Sequence, residues 1–433
     1  MEHRSRAQVA SVAGAAGGIS QAVCHRLAAV DSRLALAGRG GQRLDSMRQS
    51  LGASGATVRS FPGDLRDAVT SNSIVQKTAA AFGSLDLLVH CVGILEPGPV
   101  NSGGETIMVT HADRLPMSLF SRTFIRHYIT TMRPYLMFVS GMTGIVGISF
   151  HPILSVLKAA LLFVAAFCSY GFGQALTDCS QIDTDSISSP YRPLTQGIIS
   201  RKHVAVVSVS GLLFCVAVFS SFRVANLALG LLAGLGLATY TPFKRRWWGG
   251  PFYNAWIVAV LCSMAFLGAA EGQGVNATFS FLLAVIAVFF GYANFVLSGY
   301  FKDIEADRQT GYRTLPVVFG RRRAAVVSDA FAILFLASSL CSITIIAPIH
   351  SRLLFSAVFW IAGAAAAILA QVRLHRVQTD TEAHRAIAPV VHAYILALSG
   401  VAAANNAGLI VPLLVFYAGF LFVLSRRPAV EQI

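Results

Sequence analysis

From Arg133-Pro134 onward the chain is a succession of long apolar stretches parted by short basic loops, and this pattern restricts the possible folds more than any other feature. Apolar windows lie at 135–150, 153–176, 204–221, 225–240, 253–270, 279–300, 324–347, 353–371, 388–403 and 408–424. With no water in hydrocarbon to satisfy backbone amides, such segments cross a bilayer as helices. A chain that is 55% hydrophobic and only 12% charged is poorly suited to solution. The expectation is an all-α polytopic membrane bundle of about nine to ten transmembrane helices.

Charge sets the orientation. The formal net charge of +14 invites a nucleic-acid reading, but the basic residues lie between apolar spans and no nucleic-acid module is visible, so the expected partner is the bilayer. Alternate loops carry Arg192, Arg201 and Lys202, then Lys244 to Arg246, then Lys302, Arg308, Arg313 and Arg321 to Arg323, then Arg373, Arg376 and Arg385, and lastly Arg426 and Arg427. The intervening loops hold only Arg223 and Arg352. The positive-inside rule therefore predicts a multi-pass inner-membrane protein with these loops, the amino-terminal region and the carboxyl terminus in the cytosol. Seven scattered cysteines without CxxC spacing indicate neither a disulfide framework nor a zinc site.

Two acidic stretches follow apolar spans on that same side. Lys302 to Gly320 reads KDIEADRQTGYRTLPVVFG and places Asp303 and Asp307 four residues apart. Two acids on one helix face at a membrane boundary repel unless a cation lies between them, and a hard divalent ion such as Mg2+ fits that need. Thr177 to Gly197 reads TDCSQIDTDSISSPYRPLTQG. If the helix continues through it, Asp178, Gln181 and Asp185 fall within about 60° of one another, whereas Asp183 points nearly the opposite way. The competing reading is that both stretches are polar caps on membrane helices. Between them lies Tyr240-Thr-Pro-Phe-Lys244, in which Lys244 supplies a point charge for an anionic phosphate and Tyr240 a hydroxyl donor. A snorkelling lysine and an interfacial tyrosine are the structural alternative.

Together these three stretches resemble the UbiA family of intramembrane prenyltransferases. The family's first motif, NDxxDxxxD followed by RP, is matched by Asp178, Gln181 and Asp185 with Arg192-Pro193-Leu194, Thr177 standing in place of the asparagine and Gln181 in place of the middle aspartate. Its DxxxD motif is matched by Asp303 and Asp307 followed by Gly311 and Thr314-Leu315-Pro316, and its YxxxK loop by Tyr240 and Lys244. Arg133-Pro134 resembles the opening of its first helix. The resemblance implies a polyprenyl diphosphate donor held by two Mg2+ ions, one near Asp178, Gln181 and Asp185 and one near Asp303 and Asp307. It implies Lys244, Arg192 and Lys302 against the diphosphate. An aromatic-lined cavity would shelter an allylic carbocation, with Tyr292, Phe295, Tyr300, Phe252 and Tyr253 as candidates. Asn254 and Asn294 are polar positions able either to orient a hydrophobic or aromatic acceptor or to link helices. A carrier binding a transported cation at the aspartates is the rival reading. The position of both motifs at cytosolic helix ends, before basic loops, favours transfer.

The first hundred residues differ in kind. A short apolar run at 8–14 precedes a glycine-rich turn, Gly14 to Ser20, and a helical stretch; further strands are predicted at 34–37, 58–61 and 85–89. This resembles the cofactor half of a short-chain dehydrogenase/reductase, a small α/β Rossmann-like fragment. Gly14 and Gly18 fall in the glycine turn, Arg39 after the second strand where a 2′-phosphate would lie, Asp64-Leu65 at the family's Asp-Leu pair, and His90 to Gly93 at its NNAG. Ser20 replaces the third glycine, and no catalytic Tyr-x-x-x-Lys follows before Arg126. The fragment is therefore read as truncated, with NADP(H) binding, and hence a reductase-prenyltransferase fusion, as the minor alternative. The expected organisation is a Rossmann-like unit at 1–98, a linker at 99–125, the prenyltransferase domain at 126–427 and a tail at 428–433.

Overall fold

The computed structural model describes residues 9–15, 18–29, 33–53, 55–65, 68–90, 119–153, 155–272, 277–346 and 350–426. The chain divides into two compact units, Met1–Thr110 and His111–Ile433.

The first unit is a four-stranded parallel sheet with strand order β3-β2-β1-β4. Its elements run β1 (Val9–Ala13), α1 (Gly18–Ala28), β2 (Arg33–Gly38), α2 (Gly41–Ala53), β3 (Val58–Pro62), α3 (Ala68–Phe82) and β4 (Leu87–His90). Strand residues alternate between two apolar layers, as a period of two demands. Ala10, Val12, Leu34 and Leu36 pack with Cys24 of α1 and with Leu44, Met47 and Leu51 of α2. Val9 and Ala35 meet Phe82 of α3. Helices therefore cover both faces, which is why these strands read as unbroken apolar runs.

Helices are the only regular secondary structure among the described residues of the second unit. Its helices are α4 (Arg122–Met132), α5 (Pro134–Ser149), α6 (Val156–Asp178), α7 (Ile182–Ser188), α8 (Arg201–Phe222), α9 (Ala225–Lys244), α10 (Gly250–Ala269), α11 (Phe279–Tyr300), α12 (Ile304–Gln309), α13 (Leu315–Ile346), α14 (His350–Leu374), α15 (His384–Asn405) and α16 (Ile410–Ser425). Among the described residues nine helical segments are long and apolar enough to cross a membrane, and α5 is a shorter apolar helix. This is a multi-pass membrane protein. Two predictions of local structure change. The segment after Leu176 is not one continuous helix, because α6 ends at Asp178 and α7 restarts at Ile182. Helix α13 begins nine residues before the predicted span and bends at Gly320, whose φ of 80° and ψ of 163° interrupt it.

Helix α15 lies at the centre, buried along almost its whole length by alanine, valine and leucine side chains. Small residues permit that closeness. A Cβ on Gly363 of α14 would come within 2.4 Å of the Ala397 backbone nitrogen on α15, so the two helices touch backbone to backbone. Buried polar groups are satisfied between helices: Asn294 Oδ1 accepts from Ser328 at 2.5 Å and from Gln371 at 3.3 Å. Asn294 thus serves as a helix link, the structural alternative read from the sequence.

Candidate active site

Where α6 stops, Asp178 closes the helix and three residues of turn lead to α7, with Gln181 at its N-cap position. The Asp185 N–H donates to the Gln181 carbonyl at 2.9 Å, so the four-residue spacing survives the break. The second motif is built alike. Helix α11 ends at Tyr300, Asp303 takes the N-cap position of α12, and the Asp307 N–H donates to the Asp303 carbonyl at 2.7 Å. Helix α12 ends because Gly311 adopts a left-handed φ of 75°, which lets the Tyr312 and Gly311 N–H groups cap the carbonyls of Asp307 and Arg308.

A cavity of about 780 Å3, counting its open mouth, receives these ends. Asp178, Gln181, Asp185, Arg192, Tyr240, Lys244, Asn254, Lys302 and Asp303 all line it. Asp307 is fully buried and is not among the lining residues. Apolar and aromatic wall comes from Tyr135, Tyr170, Tyr292, Phe295, Tyr300 and Ile387. Two aromatics predicted for the cavity pack elsewhere: Phe252 lies against Phe331 and Phe289, and Tyr253 stacks on Phe243 at 4.0 Å.

The first motif is held by cations. The Arg133 guanidinium donates to both Asp178 carboxylate oxygens, at 3.0 and 2.9 Å, and Gln174 donates to one of them at 2.6 Å. Arg192 pairs with Asp185 at 2.6 Å. Burial pushes the Asp185 carboxyl up, but Arg192, Arg133 and Lys244 together hold it below the usual carboxylate range. Lys244 donates to the neutral Gln181 amide oxygen at 2.7 Å, with its ammonium facing the Tyr312 and Tyr300 rings at 5.2 and 5.7 Å. Tyr240 and Tyr300 share a hydroxyl hydrogen bond of 3.0 Å. Asp183 faces away from this cluster and joins Arg245 at 3.2 Å and the Tyr312 hydroxyl at 3.4 Å. Thr184 and Thr310, 3.1 Å apart, tie α7 to α12.

The second motif is freer. Thr314 donates to Asp307 Oδ2 at 3.1 Å, while the buried Oδ1 has no hydrogen-bond partner. Burial pushes the Asp307 carboxyl up to about 7, against the opposing pull of Lys244. Burial likewise pushes the Lys302 ammonium down to about 8, in spite of Asp303 beside it. The Asp303 side chain makes no capping bond to its own helix. Hard oxygen donors, one of them buried and unpartnered, are the donor set a magnesium ion takes, so Asp303 and Asp307 fit such an ion. Asp178, Gln181 and Asp185 offer the same atom types, but each is engaged by a cationic side chain. A second ion there would have to displace those partners.

A match to the model of the UbiA prenyltransferase family spans residues 137–396. The chain belongs to the UbiA prenyltransferase family. It is an intramembrane enzyme of prenyl transfer. A second match, to the short chain dehydrogenase model, covers residues 8–164 and so runs past the α/β unit into the membrane helices. Digeranylgeranylglyceryl phosphate synthase of Pyrococcus abyssi is 27% identical over 217 residues, which are 50% of this chain and 76% of that protein. The synthase of the same name from Natronomonas pharaonis is 32% identical over 182 residues, 42% of this chain and 64% of its own. The apo structure of a UbiA homolog from Aeropyrum pernix K1 superposes with a TM-score of 0.50 at 22% identity, covering 64% of this chain and 97% of that one, which speaks for the fold alone.

Sequence reasoning missed Arg133, Gln174 and Thr314 as site residues. Arg133 was visible only as the residue before Pro134, and Gln174 only as the position one turn before Asp178. In the α/β unit, Gly14, Arg39 and Asp64 follow the carboxyl ends of parallel strands, the edge where nucleotides bind in such sheets. Helix α1 starts at Gly18, and Arg39 is exposed. The Gly14 and Ala15 N–H groups both donate to the Ala37 carbonyl, at 2.7 and 3.1 Å. Cys91, Val92 and Gly93 lie outside the described residues.

Proposed function

We propose that this enzyme transfers a prenyl group, in a Mg2+-dependent reaction on the cytosolic side of the membrane, from a polyprenyl diphosphate to the hydroxyl of a lipid acceptor. The observation carrying this reading is one cavity in which Asp303, Lys302, Lys244 and Arg192 share a wall with Tyr170, Tyr292 and Phe295. An anionic head and an apolar tail are recognised by such a pairing. The lipid acceptor is favoured by the names of the relatives, which are synthases of a glyceryl phosphate lipid.

Asp303 and Asp307 would hold Mg2+, which supplies charge neutralisation for the diphosphate oxygens. Lys244 meets the same leaving group with a charge that its neutral partner Gln181 does not cancel. The Tyr240–Tyr300 hydroxyl pair fixes the ring beside that ammonium. As the allylic C–O bond breaks, its electron pair stays with the diphosphate, and the faces of Tyr170, Tyr292 and Phe295 stabilise the carbocation. The acceptor oxygen forms the new C–O bond and releases its proton. Purified full-length protein in nanodiscs should release diphosphate from a geranylgeranyl diphosphate panel with Mg2+, and not with EDTA or in an Asp303→Asn, Asp307→Asn variant. A folded protein that consumes no donor with any acceptor sinks the proposal.

A further inference from the structure

The position of Asp303 poses a problem for a metal-binding role. It is the N-cap residue of α12, where an aspartate side chain ordinarily turns back to accept the N–H of the second or third helical residue. A carboxylate engaged that way is lost to the cavity. Here the Asp303 side chain makes no such bond. The N–H of the second helical residue, Glu305, instead donates at 2.8 Å to Asp380 Oδ2, from a turn 75 residues further along the chain. The other Asp380 oxygen is held by Arg321, just past the bend at Gly320. The turn carrying Asp380 does not need that carboxylate for itself, since Glu382 accepts from the Gln378 and Thr379 N–H groups at 3.0 and 3.4 Å and closes it.

We propose that Asp380 is a positioning residue of the active site: it caps α12 from outside, and so leaves the Asp303 carboxylate facing the cavity for a divalent cation. The inference rests on the reading that Asp303 holds such an ion. Without Asp380 the Glu305 N–H loses its acceptor, and the nearest replacement is Asp303, whose rotation onto its own helix removes a ligand. The side chain of an asparagine at 380 still presents an oxygen to the N–H, so the position needs an acceptor more than a charge.

Mn2+ binding to the full-length protein in nanodiscs, followed by loss of the free-ion electron paramagnetic resonance signal, tests this. Asp380→Ala should weaken Mn2+ binding about tenfold or more, the usual cost of losing a residue that orients a ligand. Asp380→Asn should bind as the unaltered protein does, and the Mg2+ concentration for half-maximal diphosphate release should shift in parallel while the donor KM stays put. Unchanged Mn2+ affinity in Asp380→Ala overturns the proposal, and so does equal loss in the asparagine variant, which would point to the ion pair with Arg321 instead. Should Asp380→Ala fail to fold, Asp380→Ser takes its place, since its shorter hydroxyl side chain does not reach the Glu305 N–H that Asp380 Oδ2 now meets at 2.8 Å. The same weakening of Mn2+ binding is then expected, and unchanged affinity overturns the proposal. If the unaltered protein binds no Mn2+, the metal reading of Asp303 fails first and this inference with it.

Discussion

The two acidic motifs are built by the same local device and end in opposite electrostatic states. Each follows a membrane span, breaks for a short turn and restarts as a helix of six or seven residues, with an aspartate four residues after the N-cap position: Asp185 after Gln181 in the first, Asp307 after Asp303 in the second. In the first, Asp178 and Asp185 are matched by Arg133 and Arg192, and Gln181 aims Lys244. In the second, the Asp303 side chain makes no capping bond to its own helix and Asp307 keeps a buried oxygen without a partner. Buried charge must be compensated. One motif meets that demand with side chains; in the other it falls, on the function proposed above, to a divalent ion. Similar acidic spelling therefore gives a wall of acids already paired with side-chain cations and, across the cavity, the two carboxylates we propose for Mg2+.

Four substitutions probe this contrast. Lys244→Ala removes the ammonium from the leaving group and is expected to lower kcat for diphosphate release about a hundred- to thousandfold, the cost of deleting one donor at developing charge; a loss under tenfold would place the diphosphate elsewhere. Next in size, Asp303→Asn should weaken Mn2+ binding by about 10–100-fold. Asp178→Asn should instead leave Mn2+ affinity alone and cost stability, about 3–5 kcal/mol, because the Arg133 guanidinium stays buried without its counter-charge. Calorimetric melting with parallel Mn2+ titration separates the two, and an ion lost from the Asp178 variant erases the distinction between the motifs. The smallest effect belongs to Gln181→Asp, which sets a carboxylate against Lys244 and should raise the donor KM about fivefold, ~1 kcal/mol. A second Mn2+ appearing in that variant would identify the amide as what keeps the first motif tied to side-chain cations.

The membrane spans were legible because apolar runs are a local property, and their ends gave away both motifs. The orientation of Asp183 was legible too: at about 100° per residue it points away from its neighbours, and it pairs with Arg245 and Tyr312 instead. What sequence could not display were partners from distant elements. Arg133 reaches Asp178 across 45 positions and Asp380 reaches Glu305 across 75, distances over which no periodicity carries information. The breaks before α7 and α12 were equally hidden, since i, i+4 spacing reads the same in one helix or two. In the α/β unit the strand pattern was plain, whereas the Ala37 carbonyl that takes the Gly14 and Ala15 N–H groups belongs to the neighbouring strand.

Arg133 is the one non-glycine residue at positive φ among the described residues, at φ 52° and ψ 71°, in the single link between α4 and α5. A backbone in that region costs about 1–3 kcal/mol, which the surroundings must hold in place. Here the Arg133 N–H donates to the Thr130 carbonyl at 3.1 Å, its carbonyl accepts from the Leu136 N–H at 2.8 Å, and its guanidinium is clamped on Asp178. The joint is thus pinned at both its backbone and its side chain. One residue thus sets both the backbone link through which α4 passes into α5 and the positive charge beside Asp178, so the rim of the cavity and its electrostatics share a single anchor.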